Sequence, residues 1–499
     1  MSTLEKDIQY TSSVIAEPPH DLRYARRSLI LFGLMVLLVY YIEMMMTASI
    51  PKILIEYHET LGKVSLILAL YTIFGVALIP VVGKLGDIHG KKKVLIYVLV
   101  AYSIMVVSTS LTPNFTWLLI SRTFQGVGIT ISPLALTLAR EQYPRKMIAK
   151  AQGLISGMIF AGIGLGLSAG ALVSEYWGWQ TNYHIAAPII IILTILTWLY
   201  IKESRFKNYD IKLDIPGSAI LGSSLALFVL GLSQATRLGW MSPLILGFFF
   251  GGGILLIPLY VFENKVSQPI LDFSRLGEKN ILVSNIIAFI TGTAIVLSFA
   301  SLVYKLEDTP PAGYGFSIGT AGMYILPFAI IVLITSYPIG ALNSKYGVKP
   351  FLFLGGIIGA VGSILLAFET IAYQIPIFLC ITAVGFSMLL ISRQVMLIMS
   401  VNNEDMGTMV SISQIFFNMG QSVAPAISAS ILSAYAASVI IGGESYSLPT
   451  HQAFGYIFWF VAVIFMISFL LAPFGKEVIG KRQADLHNTS LRSSSKSPK

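Results

Sequence analysis

The stretch Gly83-Lys84-Leu85-Gly86-Asp87-Ile88-His89-Gly90, followed by Lys91, Lys92 and Lys93, is the most informative part of the sequence because it places a charged turn between two apolar segments. One apolar run occupies 64–82 and the next occupies 94–111. Each is long enough to cross a hydrocarbon core about 30 Å thick. The pattern predicts a short hairpin connector at a bilayer surface, where glycines permit tight turns and Asp87 faces basic side chains and a helix end.

The composition extends this interpretation to the whole chain. Of 499 residues, 55% are hydrophobic and only 11% are charged, and the mean hydropathy is +0.77. Soluble domains carry about 25% charged residues, so this composition indicates a polytopic membrane protein. The net charge of +9 would suggest a nucleic-acid partner in a soluble protein, but here the basic residues lie in connectors and tails. We expect no nucleic-acid partner, and the single Cys380 excludes an intrachain disulfide.

Fourteen apolar runs have the length of a membrane span. They lie at 28–50, 64–82, 94–111, 117–139, 152–174, 184–201, 216–234, 242–262, 281–303, 318–339, 350–369, 375–400, 407–435 and 453–473. Helices are the expected form, because each backbone polar group must be satisfied within its own segment in lipid. The sequence therefore predicts an all-α membrane protein of fourteen transmembrane helices, and the first span is too long for a signal-peptide core.

The distribution of basic residues predicts the orientation. Most of the 33 Lys and Arg residues fall in the two tails and in alternate connectors. The opposite connectors hold only Lys52, Lys63, Arg237 and Lys305. Because short cytoplasmic loops are enriched in Lys and Arg, both termini are expected in the cytoplasm, with the protein in the plasma membrane.

An internal repeat divides the spans into groups. Gly83, Leu85, Gly90 and Lys92 recur at the same offsets as Gly340, Leu342, Gly347 and Lys349 after span 10. If each loop follows the second span of a six-helix unit, the predicted organisation is a tail (1–27), a six-helix bundle (28–204), an extra two-helix hairpin with linkers (205–275), a second six-helix bundle (276–475) and a tail (476–499).

Several motifs resemble the major facilitator superfamily, and within it the fourteen-span drug:proton antiporter family. Residues 83–93 match its Gly-x-Leu-x-Asp-x-x-Gly-[Arg/Lys]-[Arg/Lys] loop, and span 4 matches its Arg-x-x-Gln-Gly-x-Gly pattern. The span 4 residues are Arg122, Gln125, Gly126 and Gly128. Span 5 is similar to the antiporter motif through Gly153, Gly162, Gly166 and Gly170, although Leu167 stands where the motif has proline and Ala171 replaces a glycine. Similarity to the fourteen-span members also comes from Glu43, Thr47 and Pro51, from Asp214-Ile215-Pro216-Gly217, and from Trp240.

The leading candidates for proton coupling are Glu43 and Arg122. Glu43 is the only carboxylate that the sequence places well inside a span, where ionisable residues are costly and a functional role is the default hypothesis. Burial favours a protonated carboxyl and a nearby guanidinium favours an ionised one, so a change in their separation would switch protonation. The alternative is a static ion pair or structural hydrogen bonding.

Three further groups of residues complete the predicted site. Gly83, Asp87, Gly90, Lys91 and Lys92 are interpreted as a conformational latch, although the lysines equally suit a topology signal. The span 5 glycines form a small-residue face, for which simple helix packing is as good an explanation as a barrier to proton leak. A substrate cavity rich in aromatic and amide groups is suggested by side chains that could equally serve packing: Tyr71, Phe74, Arg393, Gln414, Asn418 and Gln421.

The resemblance implies a proton-coupled secondary transporter that exports small amphipathic or drug-like compounds by alternating access between two bundles. A nutrient symporter or facilitator of the same fold remains the alternative, and a transport-inactive membrane sensor is a less favoured one. The six histidines are scattered through tails and connectors, so an enzyme is not expected. We predict no cofactor and no metal, with substrate, protons and lipid as partners of a monomer.

Overall fold

The computed structural model describes residues 22–59, 66–204, 214–265, 273–308, 310, 313–401, 405–441 and 444–477. Most of the predicted tails, 1–27 and 476–499, and parts of the linkers that flank the extra hairpin lie outside these ranges.

Long apolar helices account for nearly all of the described chain. In the first half they are α1 (Leu22–Glu56), α2 (Leu66–His89), α3 (Lys91–Ser110), α4 (Phe115–Gln125), α5 (Ile131–Gln142), α6 (Arg145–Leu165), α7 (Ala171–Trp177) and α8 (Trp179–Tyr200). Two short segments continue the helices they join: a 3₁₀ turn (Gly126–Thr130) between α4 and α5, and a π-helical turn (Gly166–Gly170) between α6 and α7.

The remaining helices are α9 (Ile215–Leu238), α10 (Pro243–Glu263), α11 (Phe273–Leu276), α12 (Lys279–Glu307), α13 (Ile318–Tyr346), α14 (Lys349–Ala367), α15 (Gln374–Ser400), α16 (Met406–Ala434) and α17 (His451–Leu471). A small antiparallel hairpin, which the sequence analysis did not predict, joins α16 to α17 through β1 (Ala436–Ile441) and β2 (Glu444–Pro449). A last 3₁₀ turn spans Ala472–Phe474.

Twelve segments among the described residues are long and apolar enough to cross a membrane. The two other predicted spans correspond to α4–α5, which the 3₁₀ turn interrupts, and to α9, whose apolar stretch is shorter. Successive spans run in opposite directions when α4–α5 and α6–α7 are each counted as one span, so one end of the molecule carries Leu22, His89, Gln142, Tyr200 and Tyr346. We call it the basic end, because the lysine-rich connectors lie there.

The connector predicted at 83–93 is shorter in the structure. Helix α2 continues through Gly83 and Gly86 to His89, and α3 begins at Lys91, so the turn is Gly90 alone. Gly90 has a φ of 102°, in the region that favours glycine. The equivalent Gly347 ends α13 with a φ of 88°.

The first group of six spans comprises α1–α8, with α4–α5 and α6–α7 each forming one span, and the second group comprises α12–α17. Contacts between the two groups run along two seams. Helices α6 and α13 form one seam, and α2 with α16 forms the other. Helix α9 packs on both α2 and α16, whereas α10 packs chiefly on α9 and is largely exposed. The extra hairpin therefore covers the α2–α16 seam.

A buried ion pair anchors the second group of helices at the end opposite the basic end. Lys305 of α12 pairs with Glu369, and both side chains are almost fully buried. The hydroxyl of Tyr314 donates to Oε2 of Glu369 at 2.7 Å. Burial, together with that carboxylate, raises the pKa of Tyr314, so the tyrosine stays a donor. Lys305, which the sequence analysis placed in a connector, lies instead in the last turn of α12 and is a buried structural residue.

Candidate functional site

Arg122 is the centre of a buried polar cluster in the first group of helices. Its side chain is 0% exposed, and its Nη1 donates to Oε1 of Gln125 at 2.6 Å and to the Tyr183 hydroxyl at 3.4 Å. Its Cζ lies 4.4 Å from the centre of the Tyr71 ring, an arrangement that stabilises a cation on an aromatic face. We call Arg122, Gln125, Tyr71, Tyr102 and Tyr183 the arginine cluster.

The span 4 motif builds this cluster by letting helices approach. Gln125 lies one helical turn after Arg122, on the same helix face. A Cβ on Gly126 would lie 2.2 Å from the backbone oxygen of Tyr71, and a Cβ on Gly128 would lie 2.4 Å from the Tyr102 ring. Glycine at both positions therefore allows the tyrosines of α2 and α3 to reach the guanidinium.

Several polar atoms of the cluster are buried and have no hydrogen-bond partner among the described residues. They are the hydroxyls of Tyr71 and Tyr102, Nε2 of Gln125, and Nε and Nη2 of Arg122. Buried polar groups in native proteins are normally paired, so exceptions mark sites where a ligand, a water or a second conformation supplies the partner. Nε and Nη2 of Arg122 can therefore donate hydrogen bonds to one more acceptor group in this cluster.

Glu43 faces this cluster from α1. Its side chain is only partly exposed, and Arg122 acts on it electrostatically, as it acts on Tyr71 and Tyr102. Among the described residues the two charges form no direct ion pair. The predicted partners are therefore neighbours inside the bundle and are separate in this conformation.

The glycines of span 5 lie on two different contacts. A Cβ on Gly162 would meet the backbone oxygen of Leu37 at 2.3 Å, and one on Gly166 would meet that of Tyr41 at 2.6 Å. Gly170 similarly packs against Met45, so these three glycines seat α1 around the turn that carries Glu43.

Gly153 belongs to the other contact. Its Cβ would lie 2.3 Å from the backbone oxygen of Ser336 in α13, in the second group of helices. The four motif glycines therefore do not form one face: three serve α1 and one serves the α6–α13 seam. The π-helical turn falls where Leu167 replaces the motif proline.

At the basic end, Asp87 joins the two groups of helices. Its Oδ1 accepts from the backbone N–H of Gly407, and its Oδ2 accepts from the N–H and the hydroxyl of Thr408, each at 3.2 Å. These donors belong to the first turn of α16, where unsatisfied N–H groups and the helix dipole favour an anion. A Cβ on Gly83 would lie 2.3 Å from the Ser411 hydroxyl, so glycine permits this docking.

A lysine connects Asp87 to a second carboxylate. Lys91 is fully buried, lies 2.9 Å from Oδ1 of Asp87, and also pairs with Glu141 at the end of α5. Glu141 in turn accepts from the Ser204 hydroxyl at 2.5 Å. We call Asp87, Lys91, Glu141, Gly407 and Thr408 the Asp87 network. The sequence analysis did not identify Glu141, Gly407 or Thr408 as part of this network. The one available indication was that Glu141 is an acidic residue in the connector after span 4.

The internal repeat is visible in hydrogen bonds at the starts of α3 and α14. The N–H of Lys92 donates to Oε1 of Glu203 at 3.1 Å, just after α8. The N–H groups of Val348 and Lys349 donate to Glu477 at 2.9 and 3.2 Å, just after α17. Lys92 is thus at a helix start and is not part of the contact between the two groups.

The residues predicted for a substrate cavity fall into separate places. Tyr71 belongs to the arginine cluster, and Phe74 packs edge-on against Phe124 with ring centres 5.2 Å apart. Arg393 is 3% exposed and does not extend to solvent. Its Nη1 donates to the Ser413 hydroxyl at 3.3 Å.

Two amide side chains of α16, Gln414 and Asn418, contact each other. Nε2 of Gln414 donates to Oδ1 of Asn418 at 3.1 Å, and the Arg393 guanidinium lies 5.3 Å from the centre of the Phe417 ring on the same helix. Gln421 lies one turn further along and is partly exposed. The structure therefore places Arg393 of α15 near Gln414 and Asn418 of α16, within the second group of helices.

Comparison with known proteins places this architecture in a family. The family model of the Major Facilitator Superfamily matches residues 32–301 and 281–488. The chain belongs to the major facilitator superfamily. It is accordingly an integral membrane transporter of small molecules, and not an enzyme, as the motifs predicted.

Relatives of this superfamily member include bacterial multidrug proteins. It is 24% identical over 408 residues to the multidrug transporter protein MdtP of Bacillus subtilis, covering 80% of this chain and 74% of the relative. It is 25% identical over 329 residues to multidrug resistance protein 3 of the same species, covering 65% and 63%. The matches thus span about two thirds to three quarters of these relatives' own lengths.

Solved structures confirm the fold. The human organic anion transporter MFSD10 matches with a TM-score of 0.60 at 15% identity, over 91% of this chain and 100% of that one. The proton:xylose symporter XylE matches with a TM-score of 0.63 at 15% identity, over 92% and 97%.

Proposed function

We propose that this transporter exports small amphipathic compounds in exchange for protons by alternating access, as a monomer in the plasma membrane with both termini in the cytoplasm. The observation that carries the proposal is Glu43 near a buried Arg122, two of whose nitrogens have no hydrogen-bond partner among the described residues. An acid inside a membrane helix is a functional-site hypothesis by default.

In the proposed cycle, Glu43 ionises when it approaches Arg122 and takes a proton when the two separate. Arginine itself stays protonated, so it tunes the acid and does not carry the proton. Because Gly162, Gly166 and Gly170 seat α1 on span 5, a movement of span 5 would carry Glu43 with it. Tyr71, Arg393, Gln414, Asn418 and Gln421, with Phe74, are proposed to contact substrate from the two halves.

The Asp87 network supports a latch at the cytoplasmic face. It joins α2 to α16 across the seam in this conformation, and breaking it would let the basic end open. The relatives named for multidrug transport support export over nutrient uptake.

The decisive experiment uses proteoliposomes with an imposed pH gradient and a lipophilic cation such as tetraphenylphosphonium. Glu43→Gln should abolish gradient-driven accumulation while retaining exchange of labelled for unlabelled cation without a gradient. The matched control, Glu175→Gln, removes an exposed carboxylate and should leave both activities intact. Gradient-driven transport that survives Glu43→Gln, or flux in the same direction as the protons, would contradict the proposal.

A further inference from the structure

A crevice of about 510 Å³ opens between the two groups of helices at the basic end. The first group contributes Arg26 of α1 with Lys150 and Leu154 of α6, and the second group contributes Tyr337 of α13. Apolar side chains of α1, Leu29 and Ile30 among them, complete the lining.

The crevice has a charged part and an apolar part. Arg26 and Lys150 lie within the first two turns of helices that begin at the basic end, whereas Ile30 and Leu154 lie one turn deeper. A helical turn rises about 5.4 Å, so the apolar lining lies about 5 Å further from the basic end than the two charges. Ile30 is 58% exposed and Tyr337 is 41% exposed, so the crevice is accessible from the side of the bundle.

The two charges are not neutralised by the described part of the protein. Neither Arg26 nor Lys150 pairs with a carboxylate there, and Nζ of Lys150 lies 5.8 Å from the centre of the Tyr337 ring. No acidic residue lines the crevice within the same described ranges. Basic pockets between transmembrane helices suit the headgroups of anionic lipids, and an apolar extension suits one acyl chain.

We propose that this crevice binds one anionic phospholipid, whose phosphate lies between Arg26 and Lys150 and whose chain lies along Leu29, Ile30 and Leu154. The lipid would contact both groups of helices, because Tyr337 belongs to the second. It would therefore favour the arrangement in which α1, α6 and α13 meet. The proposal is independent of proton coupling and of the exported compound.

Native mass spectrometry of the full-length protein, titrated with phosphatidylglycerol, tests this site. Arg26→Gln with Lys150→Gln should weaken the tightest binding event about 25-fold, since each basic side chain near a headgroup contributes roughly a factor of five. The matched control is Arg27→Gln with Lys93→Gln, which removes the same charge from two exposed residues that do not line the crevice. It should leave that event unchanged.

Two further measurements separate a lipid from other ligands. Leu154→Trp fills the apolar part and should abolish the same binding event with both charges present. Phosphatidylcholine and free glycerol phosphate should not compete for it. Equal weakening in the control pair, equal binding of phosphatidylcholine, or displacement by glycerol phosphate would overturn the proposal.

Discussion

Replacing Asp87 with asparagine should open the basic end. The carboxylate accepts three hydrogen bonds from Gly407 and Thr408, all across the seam between the two groups of helices. Asparagine preserves the shape but presents one acceptor oxygen and no charge. If one of the three bonds survives and each lost bond to the charged group contributes about 1.5 kcal/mol, the closed arrangement loses about 3 kcal/mol.

That loss corresponds to a roughly 150-fold fall in the ratio of closed to open molecules. The assay is a distance measurement between spin labels at Lys93 and Lys279, two exposed residues at the basic end of the first and second groups. Cys380, the single cysteine, is first replaced by serine. The distance distribution should shift towards longer values in Asp87→Asn.

The matched control is Asp405→Asn. Asp405 pairs with Arg275 of the short helix α11, which precedes the second group of helices, and about a third of each side chain is exposed. Exposed pairs contribute about 0–1 kcal/mol, so the distribution should hardly change. An unchanged distribution in Asp87→Asn, or the same shift in both variants, would refute the latch.

Three other variants test the packing. Gly83→Ala should open the basic end as Asp87→Asn does, because the new Cβ would lie 2.3 Å from the Ser411 hydroxyl of α16. Gly86→Ala should not open it, because that Cβ would lie 3.2 Å from a flexible methyl group of Leu134. Spin-label distances would distinguish the two variants. Glu369→Gln should destabilise the protein by about 3–5 kcal/mol, because it leaves the buried charge of Lys305 unpaired; a thermal unfolding midpoint unchanged from wild type would contradict the buried pair. Gly166→Ala should lower coupled transport more than it lowers stability, because it displaces the α1 backbone beside the proposed proton site; normal coupling ratios in proteoliposomes would count against this role.

Three properties could be predicted from the amino-acid sequence: which segments are apolar enough to span a membrane, where the lysine-rich connectors lie, and which family the motifs resemble. These properties are linear, because a bilayer requires about 20 apolar residues per crossing and short basic loops set topology. The turn at Gly90 could also be predicted, because the positive φ that glycine adopts there is a local property of the backbone. Glu43 and Arg122 were predicted from the sequence as the proton-coupling residues, and that role stays a prediction.

Which helix faces pack together, and which residues far apart in the chain meet, became visible in the folded protein alone. The donors to Asp87 lie 320 and 321 residues away, and neither Glu141 as partner of Lys91 nor Glu369 as partner of Lys305 follows from spacing. In lipid the outside of a helix is as apolar as its packed face, so hydrophobic periodicity does not show which side is buried. Close packing at glycines and the few buried polar contacts choose that side, and both depend on helices far apart in the chain.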